Sequence, residues 1–445
     1  MAPERLEVVE ICAGAGGQSL GLHNAGFTHR LALELDENAA TTLRHNLARL
    51  MRSEGTSPKD AALEAEAVVK VGDVADPSLW DPSAYKDIDL LAGGVPCPPF
   101  SIAGNQLGAT DERDLFAWAV HLCRDVQPKA LLLENVKGLS GNRFSAYRQH
   151  ILELLHNAGY VGEWRLLEAH QFGVSQLRPR FVLVALQKEF AEYFHWPEPS
   201  EDPALTVGEL LRDLMGANGW PEEHVEAWVE KASAIAPTIV GGSKKHGGAD
   251  LGPTRAKAAW RKLGVDAMGV ANAAPGPGEK GDHLPKLTTP MVARIQGWYG
   301  KDSHWEFQGR KTTVYRQIGN AFPPPVAEAL GKAIASALRK EKKRTDSVEW
   351  DRPELDPVYL LLRHHPDKAL TAQKMADLIA KSGGKTLPSP EIERRIAHIE
   401  RDFHVEKTAR SNGELAYKLG EFKAFIGQQD HARHDYFAQH RGKVS

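Results

Sequence analysis

Over the first 190 residues, short apolar runs alternate with amphipathic stretches. The runs Leu6–Ile11, Leu31–Leu35, Val68–Val71, Ile88–Ala92, Ala130–Leu133, Trp164–Ala169 and Phe181–Leu186 have strand length. A helical period fills Gln18–Ala25, Leu115–Val126 and Phe144–Asn157. Strands alternating with helices predict an α/β fold with a largely parallel, doubly wound sheet. The pattern breaks after Gln187. From Glu189 to about Pro285 only Val207–Leu214 and His224–Ala232 read as helix, among glycine-rich loops. Regular structure returns with Thr288–Gln296 and Arg316–Ala321, and a helix over Val326–Leu338 closes this part.

Beyond the charged run Arg339–Arg344, helices are predicted over Val358–Arg363, Thr371–Lys381 and Ser389–Phe403. A hairpin follows, turning at Ser411-Asn412-Gly413. Three helices and a hairpin are the pattern of a winged helix. The last stretch, Glu421–Ser445, has no period. The chain thus divides at 1–188, 189–284, 285–340 and 350–445.

Composition narrows the class. A chain of 445 residues holds two or three domains. A hydrophobic fraction of 42% with 25% charged residues is that of a soluble globular protein. The net charge of −3 gives no general affinity for nucleic acid, so any such surface must be local. One local excess exists: between Pro237 and Val265 stand Lys244, Lys245, Arg255, Lys257, Arg261 and Lys262 against a single acid, Asp250. Cys12, Cys97 and Cys123 form neither a disulfide framework nor a zinc site, which suits a reducing cytoplasm. No apolar run reaches the ~18 residues of a membrane span, and a first strand at Leu6 leaves no room for a signal peptide.

Three places carry candidate chemistry. Gly93-Gly94-Val95-Pro96-Cys97-Pro98-Pro99-Phe100-Ser101 presents a thiol on a proline-stiffened turn just past a strand, where open α/β sheets place ligands. Behind it run a glycine-containing loop and Asp111-Glu112-Arg113-Asp114. Ala13-Gly14-Ala15-Gly16-Gly17, between the first strand and helix, lets backbone approach a ligand closely, and Glu34, 20 residues after Gly14, suits ribose hydroxyls. Ser19 stands where a third fingerprint glycine would, so the turn alone equally suits a structural role. Glu134-Asn135-Val136 puts a carboxylate directly after four apolar strand residues, and Gln176-Leu177-Arg178-Pro179-Arg180 precedes the last strand.

Together these pieces resemble the DNA cytosine-5 methyltransferase family. Pro96-Cys97 with Phe100-Ser101 is similar to its catalytic motif, Glu134-Asn135-Val136 to its ENV motif and Gln176-x-Arg178-x-Arg180 to its QxRxR motif. Gly319-Asn320-Ala321 with the following helix is similar to its final motif. The match runs over 6–190 and 284–338, and the irregular segment between fills the slot of a target-recognition domain. Cys12 departs from the family's usual Phe, and Glu10 from its leading Asp, which puts the adenine contact in doubt but not the fold.

The resemblance implies a Rossmann-like, S-adenosylmethionine-dependent methyltransferase sheet with an inserted recognition domain and a mostly helical accessory domain. It implies Cys97, Glu134, Arg178 and Arg180 as catalytic residues, the arginines beside the thiolate. The cofactor S-adenosyl-L-methionine would be held by Cys12, Gly14, Gly16, Gly17, Glu34, Leu35, Asp73, Val74, Asn320 and Ala321. Double-stranded DNA would be held by Ser101, Arg113, Gln176, Lys244, Lys245, Arg255 and Arg261, with a cognate restriction endonuclease as the functional partner. No metal is expected. Cys123 reads as structural. Two rivals stand beside this reading: the family's tRNA-modifying branch, which generally has a shorter recognition segment, and a DNA-binding regulator with a retired catalytic domain.

Overall fold

The structure is a computed structural model that describes residues 5–95, 112–241, 249–299, 305–345, 356–383 and 386–422. The strands of the main sheet are β1 (Leu6–Ile11), β2 (Phe27–Glu34), β3 (Val69–Val71), β4 (Leu90–Gly93), β5 (Ala130–Val136), β6 (Tyr160–Glu168) and β7 (Pro179–Gln187). Among and after them run helices α1 (Gly17–Asn24), α2 (Glu37–Ser53), α3 (Pro58–Val68), α4 (Glu112–His121), α5 (Ser145–Asn157) and α6 (Lys188–Ala191). The seven strands are ordered β3-β2-β1-β4-β5-β7-β6. Pairs from β3 to β5 are parallel, whereas β7 is antiparallel to both β5 and β6. The expected doubly wound sheet is present, with one reversed strand.

Alternate side chains of the buried strands feed two apolar layers. Val9, Ile11, Leu131, Leu133 and Leu183 join Leu115, Trp118 and Ile151 of α4 and α5. Val8, Leu90, Leu132, Val182 and Val184 face the other way. They pack on α1 and on α12 (Pro324–Leu338), which follows α7 (Val207–Gly216), α8 (Glu222–Lys231), α9 (Thr254–Lys262), α10 (Thr289–Ile295) and α11 (Lys311–Asn320). Helix α12 lies against α1 so closely that a Cβ on Gly21 would come within 2.5 Å of Ala327 Cβ and of Pro324 O. The chain's late return thus completes the layer beneath the first turn.

Residues of α7–α9 share one apolar cluster with α2, α10 and α11, through Leu211, Trp228 and Trp260 against Leu43, Leu47, Ile295 and Ile318. The segment 189–284 therefore packs into the body of the protein. Helix α9 was not foreseen, because glycine and proline flank it on the N-terminal side and its buried stripe is a single Trp260. Beyond it, α13 (Pro357–His364), β8 (Leu370–Thr371), α14 (Ala372–Lys381), α15 (Ser389–Asp402), β9 (Phe403–Ala409) and β10 (Leu415–Phe422) form a separate apolar cluster. Their small sheet is ordered β8-β10-β9. The two-residue β8 was too short to read from periodicity.

Candidate active site

The chain leaves β1 with Cys12 in the left-handed region (φ 52°), followed by Gly14 and Gly16 at positive φ. This turn carries the backbone across the strand ends before α1 begins. Beneath it Glu10, fully buried, takes the Ser19 hydroxyl at 2.7 Å and faces His29 Nε2 at 2.8 Å. One carboxylate oxygen so ties β1, β2 and the first turn of α1. Above it, Trp305 donates its indole N–H to Ala15 O at 2.8 Å.

Glu34 closes the other side of the turn. Its carboxylate accepts Gly14 N–H at 2.7 Å and Asp36 N–H at 2.8 Å, joining the two loops. Burial pushes its carboxyl above the usual range, against the pull of those backbone donors. At the end of β3, Asp73 caps its own turn through Ala75 N–H.

A cavity of about 520 Å³ opens over these strand ends. It is lined by Cys12, Gly14 and Gly17 of the first turn, Glu34, Leu35 and Asp36 after β2, and Asp73 and Val74 after β3. Gly94 and Val95 after β4, Glu134, Asn135 and Val136 of β5, and Arg180 of β7 continue the wall. Thr313, Arg316, Asn320, Ala321 and Phe322 close it from α11 and beyond. Leu35 and Val136 expose about 40% of their surface here, 41% and 40% respectively, giving two apolar patches at its rim.

At the β4–β5 end the cavity meets a charged pair. Arg180 Nε lies 2.5 Å from Glu134 Oε1. The N–H is not aligned on that oxygen, so this is an ion contact rather than a hydrogen bond. Both groups are buried, and burial raises the Glu134 carboxyl while Arg180, then Arg178, pull it down. Asn135 donates to Val95 O at 3.1 Å and accepts Val136 N–H at 2.8 Å, so it braces the residue directly before Pro96-Cys97. Cys97 and Ser101, like Lys244 and Lys245, lie outside the described residues, and of Arg113 only the backbone in α4 is described.

Three of the expected site residues do not line this cavity. Arg178, expected beside the reacting thiol, does not line the cavity. Its guanidinium, 2% exposed, donates to Ile239 O at 2.7 Å, Gly319 O at 2.8 Å and Ala321 O at 3.0 Å. Gln176, expected on DNA, is fully buried, with Nε2 on Gln296 Oε1 at 2.5 Å and Oε1 accepting Ile239 N–H at 2.8 Å. Gln296 in turn donates to Ala321 O at 2.8 Å, a part the sequence did not reveal. Gly16 is not part of the cavity wall, and a Cβ there would sit 2.4 Å from the Trp305 ring. Arg255 and Arg261 are exposed on α9, while Lys257 is paired with Asp250 at 2.7 Å. Cys123 is buried, its thiol pushed up to about 12. No group of metal-ligating side chains occurs among the described residues.

Sheet, glycine turn and cavity define an α/β protein with a cleft of the kind that holds a nucleotide cofactor, ending at a buried carboxyl–guanidinium pair. A family model described as C-5 cytosine-specific DNA methylase matches residues 6–336, and the chain belongs to that family. It is a DNA (cytosine-5) methyltransferase. It is similar to the Type II methyltransferase M.NaeI of Lentzea aerocolonigenes, 58% identical over 443 residues that cover 99% of this chain and 100% of that one. M.NgoMIV of Neisseria gonorrhoeae is 47% identical over 336 residues, 75% of this chain and 98% of its own. M.Eco47II of Escherichia coli is 31% identical over 364 residues, covering 76% and 80%.

Proposed function

We propose that the protein transfers the methyl group of S-adenosylmethionine to C5 of a cytosine flipped out of a specific duplex DNA sequence, through a covalent Cys97 adduct. We further infer that it is the modification half of a restriction–modification system, as the names of its relatives suggest. One observation carries the chemical reading. The buried Glu134–Arg180 pair opens on the same cavity as the Gly14–Gly17 turn and Glu34, beside the end of β4, the strand that leads into Pro96-Cys97.

The cavity fits the cofactor's chemistry. Glu34 offers carboxylate oxygens at the end of β2 for ribose hydroxyls, Leu35 and Val136 offer apolar surface, and the start of α1 offers backbone N–H groups to a carboxylate. When bound there, S-adenosylmethionine supplies an electrophilic methyl group. Asp36, Asp73 and Asn320 would orient it from three sides.

The chain's own residues do the rest. Cytosine C5 is a weak nucleophile; addition of the Cys97 sulfur to C6 makes the ring an enamine whose C5 can take a methyl group. Negative charge then builds toward N3. A Glu134 carboxyl held high by burial can share or give a proton at N3, and Arg180 can stabilise the carboxylate left behind. Asn135 holds Val95, the residue directly before Pro96-Cys97. Loss of the C5 proton to water, return of the N3 proton to Glu134 and expulsion of the sulfur from C6 as thiolate complete the cycle. C6 is out of reach in a stacked duplex, which is why the base must leave the helix. Arg178 acts in this scheme by holding Ile239 of the inserted segment against the end of α11, not by touching the base.

The test is bisulfite sequencing of plasmid DNA from a host expressing the chain. Protection of one cytosine within a fixed sequence is expected, and a Cys97→Ser strain should show none. Unmethylated DNA with methylated tRNA would favour the tRNA reading.

A further inference from the structure

Residues 356–422 have the helix–strand–helix–helix–hairpin order of a winged helix, in which the third helix ordinarily enters a DNA groove. In this chain that helix is poorly equipped to do so. Arg394 and Arg395 both donate to Glu391, at 2.8 Å and 3.1 Å, and Arg395 also meets Asp356 at 3.1 Å. Lys407 is paired with Glu400 at 2.7 Å. Residues 356–422 carry eleven Lys/Arg against ten Asp/Glu, so the module presents almost no net field to phosphate.

Its contacts point inward instead. Asp356 caps α13, accepting Val358 N–H at 2.9 Å and Tyr359 N–H at 3.1 Å, and its other oxygen takes Arg395 and the Ser145 hydroxyl at 3.3 Å. Tyr359 donates to Glu153 at 3.2 Å. The His150 ring lies 4.3 Å from Phe422 and 5.2 Å from Phe403, and Ala146 sits in the same apolar cluster as Ile392 and Ile396. Ser145, Ala146, His150 and Glu153 all belong to α5. Helix α15 also packs on the turn Asn142–Phe144. The stretch between that turn and Glu134-Asn135-Val136 is held from α5 by Arg148, which donates to Leu139 O at 2.7 Å and Gly141 O at 2.9 Å.

We propose that the C-terminal module is an intrachain brace that fixes residues 134–145, with Asp356 and Tyr359 as positioning residues, and is not a second DNA-binding domain. The consequence for turnover rests on the proposed role of Glu134; the bracing itself does not.

The test uses the full chain. Asp356→Asn with Tyr359→Phe removes the polar ties and keeps the shapes; Tyr359→Phe alone serves if the pair does not fold. Amide hydrogen exchange, without DNA or cofactor, should speed up about tenfold over residues 136–145. In the complete reaction kcat should fall several-fold with KM for DNA unchanged. Arg401→Glu, on the exposed face of α15, should leave DNA affinity and its salt slope as in the wild type. Unchanged exchange overturns the brace. Faster exchange with unchanged kcat overturns the positioning role, and a weaker, flatter salt dependence in Arg401→Glu would make the module a DNA contact.

Discussion

Replacing Arg178 should destabilise the fold before it alters the chemistry. The guanidinium is buried and bound to three carbonyls, those of Ile239, Gly319 and Ala321. Arg178→Met keeps the bulk and removes every donor. Ala321 O retains the Gln296 amide, so two carbonyls, Ile239 O and Gly319 O, lose their side-chain donor. At about 1–3 kcal/mol for each buried acceptor left without a donor, the loss is about 2–6 kcal/mol. Relief of a buried charge offsets part of it, since burial holds the Arg178 guanidinium well below its usual range. A net cost of about 3 kcal/mol is a large share of a stability of about 5–15 kcal/mol. With a urea m-value of about 3 kcal/mol/M, the midpoint should fall by about 1 M. Arg180→Lys, by contrast, should leave the midpoint within about 0.3 M and lower turnover about a hundredfold, because its partner is Glu134, the carboxyl proposed to act at N3. Equilibrium urea unfolding and single-turnover methylation on the same preparations check both. If Arg178→Met unfolded at the wild-type midpoint while its turnover collapsed, the clamp would be wrong and Arg178 would belong to the reaction.

Glu134→Gln should reduce single-turnover methylation about 10²- to 10³-fold while calorimetry finds S-adenosylmethionine affinity unchanged. Glu34→Ala removes the acceptor of Gly14 N–H and Asp36 N–H and should weaken that affinity at least about tenfold in the same calorimeter. His121 is buried and its pKa is lowered to about 4, first by burial and then by Arg124. The unfolded chain takes a proton near 6.5 that the folded one refuses, so this stability is whole above pH 6.5 and is lost as pH falls toward 4. His121→Met should therefore flatten the acid limb of a stability-against-pH curve by up to about 3 kcal/mol. Cys123, its thiol pushed up to about 12, should resist a thiol reagent at pH 8 in the native state, where only about one in 10⁴ is thiolate, and react once unfolded.

The main sheet was legible because its strands are short apolar runs separated by helices, and so were the strand ends that bear Glu34, Asp73 and Glu134. The reversal of β7 was not. A strand buried on both faces reads the same in either direction, and Phe181–Leu186 carries no mark of polarity. Gln176, Arg178 and Arg180 alternate along the chain and looked like one constellation. Only Arg180 reaches the cavity, because the partners of the other two arrive from Ile239, Gln296 and Gly319, more than 60 residues away. Such carbonyls and amides leave no pattern in sequence. The shared core of α2 and α7–α11 was hidden for the same reason. The cancelled charge of α15 was within reach: Glu391 stands three and four residues before Arg394 and Arg395.

The covalent step is tested most directly with DNA in which cytosine is replaced by 5-fluorocytosine. Fluorine cannot leave C5 as a proton does, so methylation should trap the enzyme on the base. After incubation with S-adenosylmethionine and a duplex of this kind, mass spectrometry of the digested protein should find the nucleotide on the peptide containing Cys97, in an amount that grows with time. No trapped species should form without S-adenosylmethionine or with Cys97→Ser. Methylation of ordinary DNA at the wild-type rate by Cys97→Ser, or a stable adduct on any other residue, would contradict the account.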